Sequence, residues 1–299
     1  MMAFLYDVPE YKKIRVIVDT DAACEADDPF AIVHALLSPK LIVRGITAEH
    51  FGVSGSMEKS YQEILTILDH MNMRDIPAFR GQEEALKPGE VQEESEAVRF
   101  LIDEALREDE KPLYVLCQGA ITNVAVAIQI CPEIVNRMTI IWIGTHGESP
   151  CKAHFREFNA GNDILAANRV LRSKVDLWLV PSQVYGTVTI GIAEIKRRIS
   201  VCGKIGRHLY DNLMTYNNSG EAGWTQGESW SLGDSPAIAI ALNPGCGHYK
   251  TISAPEIASD TSSVDAANAR EIRVYTDVDS RYILEDLIAK LELFCSEEE

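Results

Sequence analysis

Apolar positions along the chain follow two alternating patterns. Short β-branched runs at 15–18, 41–47, 113–117, 138–143 and 175–180 read as strands, and longer segments at 29–37, 57–70, 94–106, 121–130 and 163–171 carry apolar residues at helical spacing. Such alternation predicts an α/β fold built on a mostly parallel open sheet flanked by helices. Two runs, "IRVIVDTD" and "LYVLCQG", are apolar on both faces, as central strands covered on each side must be. The final "REIRVYTDVDSRYILEDLIAKLELF" reads as a strand, a turn and an amphipathic helix. No repeat, low-complexity tract or long linker interrupts the pattern, so residues 1–299 are expected to form one α/β domain. The least regular stretch is 217–236, a Gly- and Ser-rich loop holding Trp224 and Trp230.

Composition narrows the partners. The chain has 299 residues, 46% of them hydrophobic, enough for a substantial core. Its 28 Lys and Arg against 45 Asp and Glu give a net charge of −17, which argues against nucleic acid or an anionic membrane surface and suits a neutral or cationic small molecule, or a metal. The seven cysteines form no CxxC pair and no metal-finger spacing, so a reducing cytoplasm is expected. No apolar run is long enough to span a membrane, and the N-terminal "MMAFLYDVPEYKK" lacks the apolar segment of a signal peptide.

Candidate chemistry concentrates directly behind the first strand. In "VIVDTDAACEADDPFAIVHALL" five acids, Asp19, Asp21, Glu25, Asp27 and Asp28, sit at the strand's carboxyl end, where ligands of open α/β sheets collect. Helix capping accounts for Asp27 and Asp28 in part, since Pro29 suits the first helical position. It leaves Asp19, Asp21 and Glu25, whose mutual repulsion a bound hard cation would relieve. Oxygen ligands without His or Cys fit Ca²⁺ or Mg²⁺ better than Zn²⁺, and an EF-hand is excluded because Ala23 and Cys24 fall where an oxygen ligand and a Gly are required. Two chemistries suit the D-x-D: phosphoryl transfer with Asp19 as nucleophile and Asp21 as acid/base on Mg²⁺, or hydrolysis in which acids hold a cation and a water.

More distant segments extend the comparison. The first motif, "GITAEHFG", "QGAITNVAVAIQICPEIVNRMTIIWIG", "REFNAGNDILAANRVL" and "LGDSPAIAIALNP" together resemble the nucleoside hydrolase family of the inosine-uridine-preferring type, in the family's order and across nearly the whole chain. The resemblance implies a Rossmann-like core and a metal-dependent glycosidase that cleaves ribonucleosides, or a related N-ribosyl compound, in purine or pyrimidine salvage. It implies Ca²⁺ as the ion, with Asp21, Asp28, Asp234 and the backbone carbonyl of Gln118 as its ligands. Asp21 is then also the general base, and Asp19 supports the ligands from behind. On the substrate side it points to Asp27 at the ribose 2′-hydroxyl, with Glu157 and Asn159 at the other sugar hydroxyls. A homodimer or homotetramer is implied as well. Asp234 also reads as the N-cap of "SPAIAIAL", so capping and ligation are both open to it.

This chain departs from the family's pattern in three places. Residues 22–26, "AACEA", lengthen the usual D-x-D-x-x-x-D-D spacing by two and introduce Glu25. Glu49 and His50 stand where a sugar-binding Asn is common, and Gly233 stands where many members carry a His that protonates the leaving base. His50, His154 and Tyr185 are the substitutes to weigh for that proton, and Trp224 and Trp230 for stacking on the base; His50 and Trp230 are taken as substrate contacts. Two readings compete with the hydrolase: a Mg²⁺-dependent phosphohydrolase working through an aspartyl-phosphate, and a non-catalytic nucleoside or ribose binder on the same scaffold.

Overall fold

A computed structural model describes residues 6–90, 92–267 and 269–296. The reading of the N-terminus as free of a signal peptide therefore lies partly outside the described residues. Eight strands form one sheet: β1 (Ile14–Thr20), β2 (Leu41–Ala48), β3 (Ala78–Phe79), β4 (Leu113–Cys117), β5 (Thr139–Ile143), β6 (Asp176–Val180), β9 (Gly247–Ser253) and β12 (Glu271–Val278). Their order is β3-β2-β1-β4-β5-β6-β12-β9, parallel throughout except where β9 runs antiparallel to β12 at the edge. The α/β expectation holds. β7 (Thr189–Gly191) with β8 (Ser229–Ser231), and β10 (Glu256–Ile257) with β11 (Ser263–Val264), make two small antiparallel ribbons.

Side chains alternate across the sheet, and each face has its own core. Val16, Val18, Leu116, Ile141, Ile143 and Val180 pack on one side, against α1 (Asp28–Leu36), α10 (Ser235–Leu242) and the terminal α11 (Ser280–Ser296). Ile17, Val115, Cys117, Ile140, Trp142 and Leu179 pack on the other, against α3 (Glu96–Leu106), α4 (Thr122–Ile130) and α6 (Ile164–Arg172). Because both faces are covered, β1 is buried along its entire length.

Chain order reverses at β1, with β2 on one side and β4 on the other. The crevice beyond the carboxyl ends of β1 and β4 is thus the topological switch point where such sheets bind ligands. Backbone pairing carries on past both strand ends there: Gln118 N–H donates to Asp19 O at 2.8 Å, and Glu49 N–H to Thr20 O at 2.8 Å. Two non-glycine residues in left-handed conformation border this end of the sheet, Ile121 (φ 64°) after β4 and Thr145 (φ 63°) after β5. Local strain of this sort, costing about 1–3 kcal/mol, persists where surrounding packing enforces it, and it gathers at functional sites.

Candidate active site

Two helix N-termini build the site. α1 begins Asp27-Asp28-Pro29 and α10 begins Asp234-Ser235-Pro236, each with Pro in its first turn. In both, the residue before the helix already has helical backbone angles, and its carboxylate makes no capping hydrogen bond. Capping is therefore not what these acids do. Their carboxylates turn toward one another instead, and one oxygen from each of Asp27, Asp28 and Asp234 falls within 4.8 Å of the others. The two helix dipoles favour negative charge at this point.

These acids line a cavity of about 80 Å³ together with Asp21, Glu25, Gln118, Asn159, Tyr185 and Gly233. Asp21 is 2% exposed, and its Oδ2 has no hydrogen-bond partner. Asp28 accepts from the Thr20 hydroxyl. Asp27 Oδ2 accepts from the Gly233 N–H at 2.9 Å. The Gln118 carbonyl accepts from Asn159 Nδ2 at 2.9 Å, and the same Asn159 nitrogen donates to the Ile143 carbonyl at 2.9 Å, so Asn159 bridges the ends of β4 and β5. A carbonyl has two lone pairs, and Gln118 O keeps one for a ligand.

Burial and mutual repulsion raise the pKa of the whole group. Burial, reinforced by Asp28, pushes Asp27 up to about 7, and burial pushes Asp28 up to about 6. Glu25 is pushed up to about 8 by burial and the neighbouring Asp27. Asp21 and Asp234 are held well above the ordinary carboxylate range, first by burial and then by the other acids. Glu25, which the two-residue expansion brings in, lines the cavity with the other acids. No Lys, Arg or His is among the described residues lining it. A set of hard oxygen donors with an orphaned buried carboxylate oxygen fits a hard divalent cation; the acids that converge are Asp27, Asp28 and Asp234, while Asp21 and Gln118 line the same cavity outside that group.

Other expected residues lie outside the lining. Asp19 is fully buried, with Oδ1 accepting from Thr47 Oγ1 at 2.6 Å and Asn123 Nδ2 at 2.9 Å. Glu157 is buried as the N-cap of α5 (Phe158–Asn162), accepting from Ala160 N–H at 2.8 Å and from the Tyr185 hydroxyl at 2.9 Å. His50 is buried, with Nε2 at 2.9 Å from Thr122 Oγ1, and burial lowers it to about 4. It is neutral at physiological pH. Trp230 is 1% exposed and packs edge-on against Tyr216 beside the exposed Trp224. Of the three substitutes for the leaving-group acid, His154 is exposed, His50 is bonded to Thr122, and Tyr185 alone lines the cavity. The resemblance gives Gln118 a backbone role only and Glu25 none, whereas both residues line the cavity. The repeated acid-x-Pro opening of α1 and α10 was the signal that the two helix starts form one unit.

Comparison with known proteins follows the same lines. The profile of the inosine-uridine preferring nucleoside hydrolases matches residues 16–285. The pyrimidine-specific ribonucleoside hydrolase RihA of Escherichia coli is 26% identical over 261 residues, 77% of this chain and 80% of that protein. Among solved structures, a purine-preferring ribonucleoside hydrolase from Gardnerella vaginalis superposes with a TM-score of 0.79 at 21% identity, covering 95% of this chain and 99% of that one. A plant nucleoside hydrolase gives 0.76 at 20% identity, covering 94% and 99%.

Proposed function

The chain belongs to the inosine-uridine preferring nucleoside hydrolase family, and on that premise we propose that it hydrolyses the N-glycosidic bond of ribonucleosides, or of a related N-ribosyl compound, to ribose and free base with the help of Ca²⁺. The observation that carries this reading is the convergence of Asp27, Asp28 and Asp234 within 4.8 Å, beside the unpartnered Oδ2 of Asp21. When bound, a Ca²⁺ ion supplies a hard Lewis acid that lowers the pKa of an adjacent water and offers positions to sugar hydroxyls.

The chain's own residues perform the remaining tasks. Asp21 Oδ2, buried and without a donor, is the acceptor for the proton of the attacking water. Asp27 has one oxygen on the Gly233 N–H, which fixes the carboxylate and leaves the other oxygen for the ribose 2′-hydroxyl. As the C1′–N bond breaks, positive charge develops on the sugar, and a carboxylate-rich cavity stabilises that state more than the neutral substrate. Asn159 shapes the sugar-side wall, and Glu157 holds Tyr185 and α5 in place behind it. His50 and Trp230 act on the substrate through what they support, the start of α4 and the aromatic wall.

A phosphohydrolase would need a cation for its phosphate, and the described lining offers no Lys, Arg or His. Of the relatives named above one is pyrimidine-specific and another purine-preferring, so both base classes enter the test. The seven free cysteines suit a cytoplasmic protein, and a homodimer or homotetramer is the assembly we expect. No helix among the described residues is long and apolar enough to cross a membrane. The test is a panel of purine and pyrimidine nucleosides incubated with the protein, with free base and reducing sugar followed together. Equal release of both supports the reading; binding without turnover would replace it with the non-catalytic one.

A further inference from the structure

The cavity is rich in acceptors and poor in donors. Its carboxylates can only accept while ionised. The donors around them are committed: Asn159 Nδ2 to the Gln118 and Ile143 carbonyls, the Tyr185 hydroxyl to Glu157, and the Gly233 N–H to Asp27. One strong side-chain donor among the described lining residues stands apart. Gln118 is 1% exposed, and neither Nε2 nor Oε1 of its amide has a hydrogen-bond partner.

Orphaned amide atoms in a protein interior are costly, and an amide with both ends orphaned needs an explanation. Its direction supplies one. On β4, Tyr114 and Leu116 face the core shared with α1 and α10, while Val115 and Cys117 face the other. The Gln118 N–H continues the ladder by donating to Asp19 O, so the alternation carries the Gln118 side chain to the α1 and α10 side, where Asp28 and Asp234 open their helices. Ser235, the first residue of α10, also has a buried hydroxyl oxygen without a partner.

We propose that the side chain of Gln118 binds a ribose hydroxyl of the substrate, donating through Nε2 and accepting through Oε1. This rests on the N-ribosyl hydrolase reading and adds to it, since that reading gives Gln118 only a backbone role. A sugar hydroxyl both donates and accepts, and an amide answers both needs where a carboxylate answers one. Within this cavity Gln118 is thereby the residue that tells a hydroxyl from a hydrogen at one ribose position, because an analogue lacking that hydroxyl leaves the buried amide orphaned.

The experiment compares kcat/KM of the wild type and Gln118→Leu on uridine and on 2′-, 3′- and 5′-deoxyuridine. Gln118→Leu keeps the volume and removes both polar atoms; Gln118→Glu, which keeps an acceptor and loses the donor, carries the test if the first variant fails to fold. The expected result is a loss of about tenfold to a hundredfold on uridine, carried mainly by KM, that shrinks to under about threefold on one deoxy analogue and persists on the other two. Equal losses on all four compounds, or no loss on uridine, would overturn the proposal while leaving the hydrolase reading intact. If the protein cleaves purine nucleosides only, inosine and its 2′-, 3′- and 5′-deoxy analogues carry the same comparison; a wild-type protein that cleaves neither series would overturn both.

Discussion

Asp27 Oδ2 accepts the backbone N–H of Gly233 at 2.9 Å, joining the start of α1 to the start of α10 across 206 residues of sequence. The contact orients a carboxylate that would otherwise be repelled by Asp28 and Asp234, and it brings two helix dipoles to bear on one point. Both helix starts are held as a unit whose natural complement is a cation.

Removing a ligand should therefore separate stability from activity. Asp28→Asn and Asp21→Asn each relieve repulsion, so in chelator both variants should melt higher than the wild type. Neither should gain the melting-temperature increase that Ca²⁺ gives the wild type, and both should lose base release. Asp234→Ser should behave alike, because Asp234 makes no capping bond to lose. If that variant gave up only stability and kept turnover, Asp234 would be structural. Differential scanning fluorimetry with and without Ca²⁺, beside a base-release assay, reads all three.

The pH dependence follows with a definite sign. Asp27, Asp28 and Glu25 have folded values of about 7, about 6 and about 8, above the value near 4 of an unfolded carboxylate. Between those limits the cation-free folded protein binds more protons than the unfolded chain, so its stability falls as pH rises from about 4 toward 8. A cation binds the ionised form, so its stabilising effect should grow over the same interval. Melting curves across this range in chelator and in Ca²⁺ should diverge with rising pH; parallel curves would show that these acids do not share a cation.

Gly119 gives a packing test of Asp21. A Cβ at this position would lie 2.9 Å from Asp21 Oδ1 and 3.0 Å from its Cγ. Gly119→Ala should displace the carboxylate at a cost of about 1–2 kcal/mol in stability and about a hundredfold in kcat/KM. Urea unfolding and steady-state kinetics on one preparation check both figures.

Asn123 links three elements behind the site. Its Nδ2 donates to Asp19 Oδ1 at 2.9 Å and to Ala48 O at 3.0 Å, and its Oδ1 accepts from Gln82 N–H at 2.8 Å. Asn123→Ala removes the side-chain partner of the Gln82 N–H and of Ala48 O and leaves Asp19 Oδ1 with Thr47 alone, and should cost about 2–3 kcal/mol in chemical denaturation. A loss under about 0.5 kcal/mol would mean that water replaces the amide.

Much of this architecture was legible in the chain. The β-branched runs and helical spacings located β1, β2, β4, β5, β6 and the helices between them, because strands buried on both faces carry no alternation to misread. β9 was not legible: "GHYKTIS" is a mostly exposed edge strand paired with β12, and its polar residues resemble a loop until that partner is known. In the site, the acids of the first motif stood out as a group. The capping explanation for Asp27 and Asp234 did not survive, since a cap depends on backbone angles that residue types do not specify. Gln118 was invisible as a side chain, because only the three-dimensional environment reveals that its amide lacks partners.

The most direct measurement strips the protein of metal and restores Ca²⁺ stepwise while recording bound ion by calorimetry and nucleoside cleavage on the same sample. Base release should be absent without the ion and reach its maximum as one equivalent per chain is bound, and Asp28→Asn should show neither binding nor cleavage. Full cleavage in chelator, or cleavage by Asp28→Asn equal to that of the wild type, would contradict the assignment of these carboxylates to a cation-dependent N-ribosyl hydrolase.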